Sequence, residues 1–171
     1  MSEAIRWSPD LRGDAWVTYA RGLTPSQLLA RLPQGAIPVA LGEQGGWAYA
    51  VEEAAAGTAR GDDVSGPAIT ASADGAELLF FETRSWDPPA QFTYARGGRC
   101  VTSFGLGCGG EEDERSGDAD VLAASLRVAG IIGDDRSRYE ADEEFNMEGE
   151  VTIEVILDHF DAPRPPFAPT S

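Results

Sequence analysis

The chain has 171 residues, 42% of them hydrophobic, and a net charge of −16 from 29 acids against 13 bases. A chain of this length is one domain by the usual prior and can bury a core, which excludes a disordered tail or a collagen-like repeat. Every base is Arg, so chemistry that needs a lysine amine is excluded. No run approaches the ~18 apolar residues of a spanning helix, and so acidic a surface repels the phosphates of nucleic acid.

Residues 1–161 are expected to form a single domain, with a Pro-rich, poorly ordered tail over 162–171. Met1 to Trp7 lacks the basic and apolar regions of a secretory signal. The expected location is therefore cytoplasmic, where Cys100 and Cys108 stay thiols. Two cysteines are too few for a disulfide scaffold.

Trp16 to Tyr19 is a β-branched and aromatic run that suits a strand. Thr24-Pro25-Ser26-Gln27 is a capping box with Pro at the first helical position. The helix it opens carries Leu28, Leu29 and Leu32 on one face and stops at Pro33. Ile37 to Leu41 reads as a short strand, Gly45-Gly46 as a turn, and Trp47 to Glu52 as the next strand. Residues 54–75 read as loop with at most one helical turn. Leu78 to Phe81 is a continuous apolar run, consistent with a strand buried on both faces. Phe92 to Arg96 and Arg99 to Phe104 flank Gly97-Gly98, a hairpin by turn type. Asp118 is expected to cap a helix with Val121, Leu122, Leu126 and Ala129 inward, closed by Gly130. Ser137 and Glu140 match a second capping box. Val151 to Phe160 has strand composition but helical spacing, and we read it as a helix with Thr152 as its cap.

The expected architecture is therefore α+β: an antiparallel meander of about five strands, helices packed on one face, and an acidic helical C-terminal part. Residues 111–161 hold 17 acids and four Arg, a net of −13, which leaves −3 for the remaining 120 residues. Such a field can raise association with a basic partner by roughly 10–10³-fold at low salt. Its candidate residues are Glu111, Glu112, Asp113, Glu114, Asp118, Asp134 and Asp135. A second candidate is a ligand pocket formed by Trp47, Glu52, Phe80 and Glu82, if the two strand-end carboxylates share a face.

Other motifs fail on their chemistry. Gly105 to Gly110 is followed by Glu111-Glu112 instead of a Lys and a hydroxyl, so it reads as a connector and not a phosphate loop. The acidic loops lack the alternating carboxylates of a calcium site, and no Cys or His spacing supports zinc. His159 has Asp158 and Asp161 nearby in sequence, but such neighbours do not share its helix face. No cofactor, metal or catalytic residue is expected.

The stretch Trp16-x-x-Tyr19-x-Arg21-Gly22-Leu23-Thr24-Pro25-x-x-Leu28-Leu29-x-Arg31-Leu32 resembles an uncharacterised family of small proteins from Streptomyces and related actinomycetes. Gly46, Trp47 and Glu52 extend the likeness, as do Phe92, Tyr94, Ala95, Gly98, Val101 and Phe104. It covers about residues 14–160 and departs from the family over Ala68 to Gly75. The resemblance implies the same α+β fold and carries no activity.

The expected function is a non-enzymatic acidic protein that recognises a basic protein partner, as an immunity protein or antitoxin would. The alternative is a regulator that binds a small molecule or peptide on a Trp-lined face of the sheet, and a carboxylate-dependent enzyme is third. Membrane and nucleic acid are not expected partners, and the sequence sets no oligomeric state.

Overall fold

A computed structural model describes residues 14–34, 36–54, 65–83, 91–106, 115–147 and 149–164. Among them are seven strands and five helices, in the order β1 (Asp14–Arg21), α1 (Pro25–Arg31), β2 (Ala40–Gln44), β3 (Trp47–Ala54), α2 (Gly66–Ala71), β4 (Glu77–Thr83), β5 (Gln91–Arg96), β6 (Arg99–Gly105), β7 (Ser116–Gly117), α3 (Ala123–Val128), α4 (Ser137–Ala141) and α5 (Glu150–Phe160). The strands form one open antiparallel sheet in the order β2-β3-β1-β4-β5-β6-β7.

The sheet is not a simple meander of five strands. β1 lies inside it, paired with β3 on one side and β4 on the other. Residues 15–20 explain this placement, because all six are buried. An edge strand leaves one side of its backbone unpaired and open, whereas a central strand covered by helices is enclosed on every side.

The insertion of β1 also explains the helices. β1-α1-β2 and β3-α2-β4 each join parallel strands across one intervening strand. They start from antiparallel strands and step in opposite directions, so the right-handed rule for such crossovers puts both helices on the same face. There α1 packs on β3 and α2 on β4 and β5, burying Ala20, Leu28, Ala48, Ala50, Ala71 and Leu78. The opposite face holds the larger core. Val17, Tyr19, Trp47, Tyr49, Leu79, Phe81 and Phe92 meet Leu126 of α3 and Ile153, Ile156 and Leu157 of α5. Helices thus cover both faces, where the sequence reading expected one.

Local signals differ in how they are realised. The Thr24 box forms as read: the Gln27 amide donates to Thr24 Oγ1 at 3.2 Å and the Thr24 amide to Gln27 Oε1 at 2.9 Å. Thr24→Ala is expected to cost about 0.5–2 kcal/mol, since a first-turn N–H loses its acceptor. A chemical denaturation midpoint unchanged from the parent chain would count against it.

The other caps are corrected. Asp118 accepts from the Asp120 amide at 2.9 Å and stands ahead of α3, whose N-cap is Leu122 with no side-chain bond. Ser137 is the first residue of α4 and donates its amide to Asp135 Oδ1 at 3.0 Å. Thr152 lies inside α5. The start of that helix is held instead by Asn146, whose Oδ1 accepts from the Val151 and Thr152 amides, both at 3.1 Å. Gly149 precedes α5 at φ +80°, and a Cβ there would stand 2.5 Å from Leu106 Cβ, so glycine serves both backbone and packing.

Residues 162–164 pack against the domain, although the expected tail began at 162. Ala162 is buried. The Pro163 carbonyl accepts from Tyr19 Oη at 2.9 Å. Arg164 bridges Glu154, at 2.6 Å, and Asp158. The rest of the expected tail, 165–171, lies outside the described residues.

Candidate functional site

The four candidate pocket residues divide between the two faces of the sheet. Trp16 of β1 is directly opposite Glu52 of β3 and Glu82 of β4. Residues opposite one another share a face, so both carboxylates flank the Trp16 ring. Phe80, two residues before Glu82, is on that face as well and forms a buried cluster with Trp16 and Ala68 of α2.

Trp47 is on the other face. It stands five residues from Glu52, an odd number, and side chains alternate along a strand. Trp47 is wholly enclosed, edge-on to Tyr19 with ring centroids 6.4 Å apart and with the Arg21 guanidinium 4.2 Å from its centroid. A pocket joining Trp47 to Glu52, Phe80 and Glu82 is therefore not formed. The odd spacing was a signal available in the sequence. The role of Trp16 was not, because it depends on β1 lying between β3 and β4.

Glu52, Phe80 and Glu82 are each no more than 5% exposed, and all three engage further partners. One strand separates the two carboxylates, so their backbones are about 10 Å apart, with the Trp16 indole between. They form two separate acidic ends of one enclosed aromatic wall.

The acidic surface has a different character. Glu111, Glu112, Asp113 and Glu114 lie outside the described residues. Asp118, Asp134 and Asp135 are exposed. Ser137, through its hydroxyl and amide, holds the Asp135 carboxyl below its ordinary value, so that group stays ionised. Asp134 and Asp135 are joined by exposed Glu140, Asp142, Glu143 and Glu144. Among the described residues, none of these six forms an ion pair.

The arginines interleaved with those acids face elsewhere. Arg136 lies 4.4 Å from the centroid of Tyr139. Arg138 lies 4.4 Å from that of Phe145 and donates to the Ala129 carbonyl at 2.9 Å. Cation–π contacts of this kind hold a guanidinium against a ring face without neutralising it. The α4 segment thus presents carboxylates outward and turns its arginine side chains onto its own rings. The sequence reading singled out Asp134 and Asp135 but missed Glu140 to Glu144, because an acidic run looks the same whether or not its arginines pair with it.

The remaining candidates have structural surroundings. His159 Nδ1 is 3.2 Å from Ser125 Oγ, a contact between α5 and α3, while Arg164 engages Asp158. Cys100 is half-buried and free, and burial pushes its thiol up. Cys108 lies outside the described residues, and no helix among those described is long and apolar enough to cross a membrane. In comparisons with known proteins, no family model, curated protein or solved structure matches the chain.

Proposed function

We propose that the protein is a non-enzymatic binding protein whose acidic C-terminal surface, centred on α4, recognises a basic protein partner in the manner of an immunity protein or antitoxin. One observation carries this reading: six exposed carboxylates over residues 134–144 have no ion-pair partner among the described residues, while Arg136 and Arg138 are committed to Tyr139 and Phe145. Clustered like charges repel one another in the free protein, and an opposite surface relieves that repulsion.

The test is a pull-down from native lysate at low salt, followed by association kinetics across a salt series. Screening acts over about 8 Å at 0.15 M, so the association rate is expected to fall steeply as salt rises, while dissociation changes less. Asp134→Asn with Glu140→Gln, Glu143→Gln and Glu144→Gln is expected to slow association about ten-fold or more at low salt. None of these side chains makes a hydrogen bond or ion pair among the described residues, so the fold is expected to hold. Neutralising Glu111, Glu112, Asp113 and Glu114 is expected to slow association further. If no basic protein is enriched, or the neutralised chain associates as fast as the parent, the acids serve only to solvate the surface.

A further inference from the structure

The residues at one end of the sheet form a row across four strands: Arg21 of β1, Glu77 of β4, Arg96 of β5 and Arg99 of β6 are successive cross-strand partners. The row carries three positive charges and one negative, in a chain whose net charge is −16. Its single acid is already satisfied. Glu77 Oε2 is 3.5 Å from the Arg21 guanidinium, and Glu77 Oε1 accepts from Tyr94 Oη at 3.1 Å. Arg21 also donates to the Phe160 carbonyl at 2.8 Å and covers Trp47.

Arg96 and Arg99 remain. Both are exposed, and among the described residues neither forms an ion pair, while Arg96 also engages the Tyr94 hydroxyl. They face each other directly across Gly97-Gly98, whose φ angles of +60° and +76° are those of a tight two-residue hairpin. Directly opposed residues have Cβ atoms about 4.5–5.5 Å apart, and like charges there destabilise the pair. The hairpin cannot easily splay to relieve this. The Gly97 amide donates to the Ala76 carbonyl at 3.3 Å and the Gly98 amide to buried Ser72 Oγ at 3.0 Å, which pins the tip to the turn after α2.

We propose that Arg96 and Arg99 form an oxyanion site for a single phosphate group, either inorganic phosphate or the phosphate of a small monoester. Two guanidinium forks on directly opposed residues can each donate a bidentate pair to one dianion. The pinned hairpin fixes the two backbones in advance, so the ordering cost of binding falls on the exposed side chains alone. A compact dianion between Arg96 and Arg99 meets two guanidiniums, and Glu77 beside Arg96 already pairs with Arg21, whereas a polyanion extending along the row meets Glu77 and the acidic remainder of the molecule. The site shares no residue with the acidic surface, so either reading can fail without the other.

The test is a titration of the ¹⁵N-labelled full chain with inorganic phosphate and, separately, with phenyl phosphate, against sodium chloride at matched ionic strength. Saturable shifts at the Gly97 and Gly98 amides are expected with phosphate and absent with chloride. Arg96→Gln and Arg99→Gln are each expected to weaken binding about ten-fold or more, since each removes a bidentate pair of charge-assisted hydrogen bonds. Arg99→Gln is expected to keep the parent's thermal midpoint or exceed it, since a like-charge repulsion is removed, whereas Arg96→Gln also gives up the contact with Tyr94. Tighter binding of phenyl phosphate assigns the ligand to a monoester, and equal binding assigns it to the free ion; both support the site. Shifts no larger than those of chloride, or variants that bind as the parent does, overturn it.

Discussion

Replacing Trp47 with Ala is expected to lower the unfolding free energy by about 3–5 kcal/mol, the usual range for emptying an aromatic site in a core. The side chain is wholly enclosed, meets Tyr19 edge-on and lies under the Arg21 guanidinium. Its loss leaves a cavity beside Tyr19 and removes the ring that holds Arg21 above Glu77 and the end of α5. One effect works the other way. Trp47 Nε1 is buried with no hydrogen-bond partner among the described residues, and an orphaned donor costs about 1–3 kcal/mol. Trp47→Phe keeps most of the ring and removes that donor, so it is expected to cost far less than the Ala change. Urea denaturation of both variants checks the pair. An Ala variant within ~1 kcal/mol of the parent would mean that the ring does not anchor this face.

Asn146→Ala is expected to cost about 3 kcal/mol or more. The Asn146 side chain is fully buried, and three hydrogen bonds depend on it: those from the Val151 and Thr152 amides, and one it donates to Thr152 Oγ1 at 2.8 Å. A buried group left without its partner costs about 1–3 kcal/mol, and here two amides of the first turn of α5 and one hydroxyl are affected together. α5 brings Ile153, Ile156, Leu157 and Phe160 into the core, so fraying at its start reaches the main packing face. Asn146→Asp retains the acceptor, places a negative charge by a helix N-terminus and loses only the donor. It is therefore expected to cost less than the Ala change. Hydrogen exchange at the Val151 and Thr152 amides is expected to speed up in the Ala variant. Unchanged exchange there would assign the cap elsewhere.

Local chemistry was legible at one helix cap and at two turns, and misleading at Asp118, Ser137 and Thr152, none of which caps its helix. Thr24, Pro25 and Gln27 name the start of α1 because a capping box closes within four residues. The two Gly-Gly turns name their hairpins because both φ angles must be positive. The spacing of Ile153, Ile156 and Phe160 outweighed the β-branched composition of the last helix, since burial follows periodicity more closely than propensity. Asn146 escaped because it reaches its helix from several residues upstream, beyond the usual cap position.

Chain-local patterns were enough for the α+β class, α1 and its cap, the strand segments at β1, β3, β4, β5 and β6, the last helix and the concentration of charge after residue 110. Each of these depends on neighbours in the chain or on counting. The rest came from long-range packing. It inserted β1 between β3 and β4, which put Glu52 and Glu82 on either side of Trp16 and sent Trp47 to the opposite face. It covered both faces with helices, turned Arg136 and Arg138 onto aromatic rings, and brought Arg21, Glu77, Arg96 and Arg99 into one row. Strand order and register arise from contacts far apart in sequence. A residue's face is set by alternation, but its companions on that face are set by which strands lie beside its own.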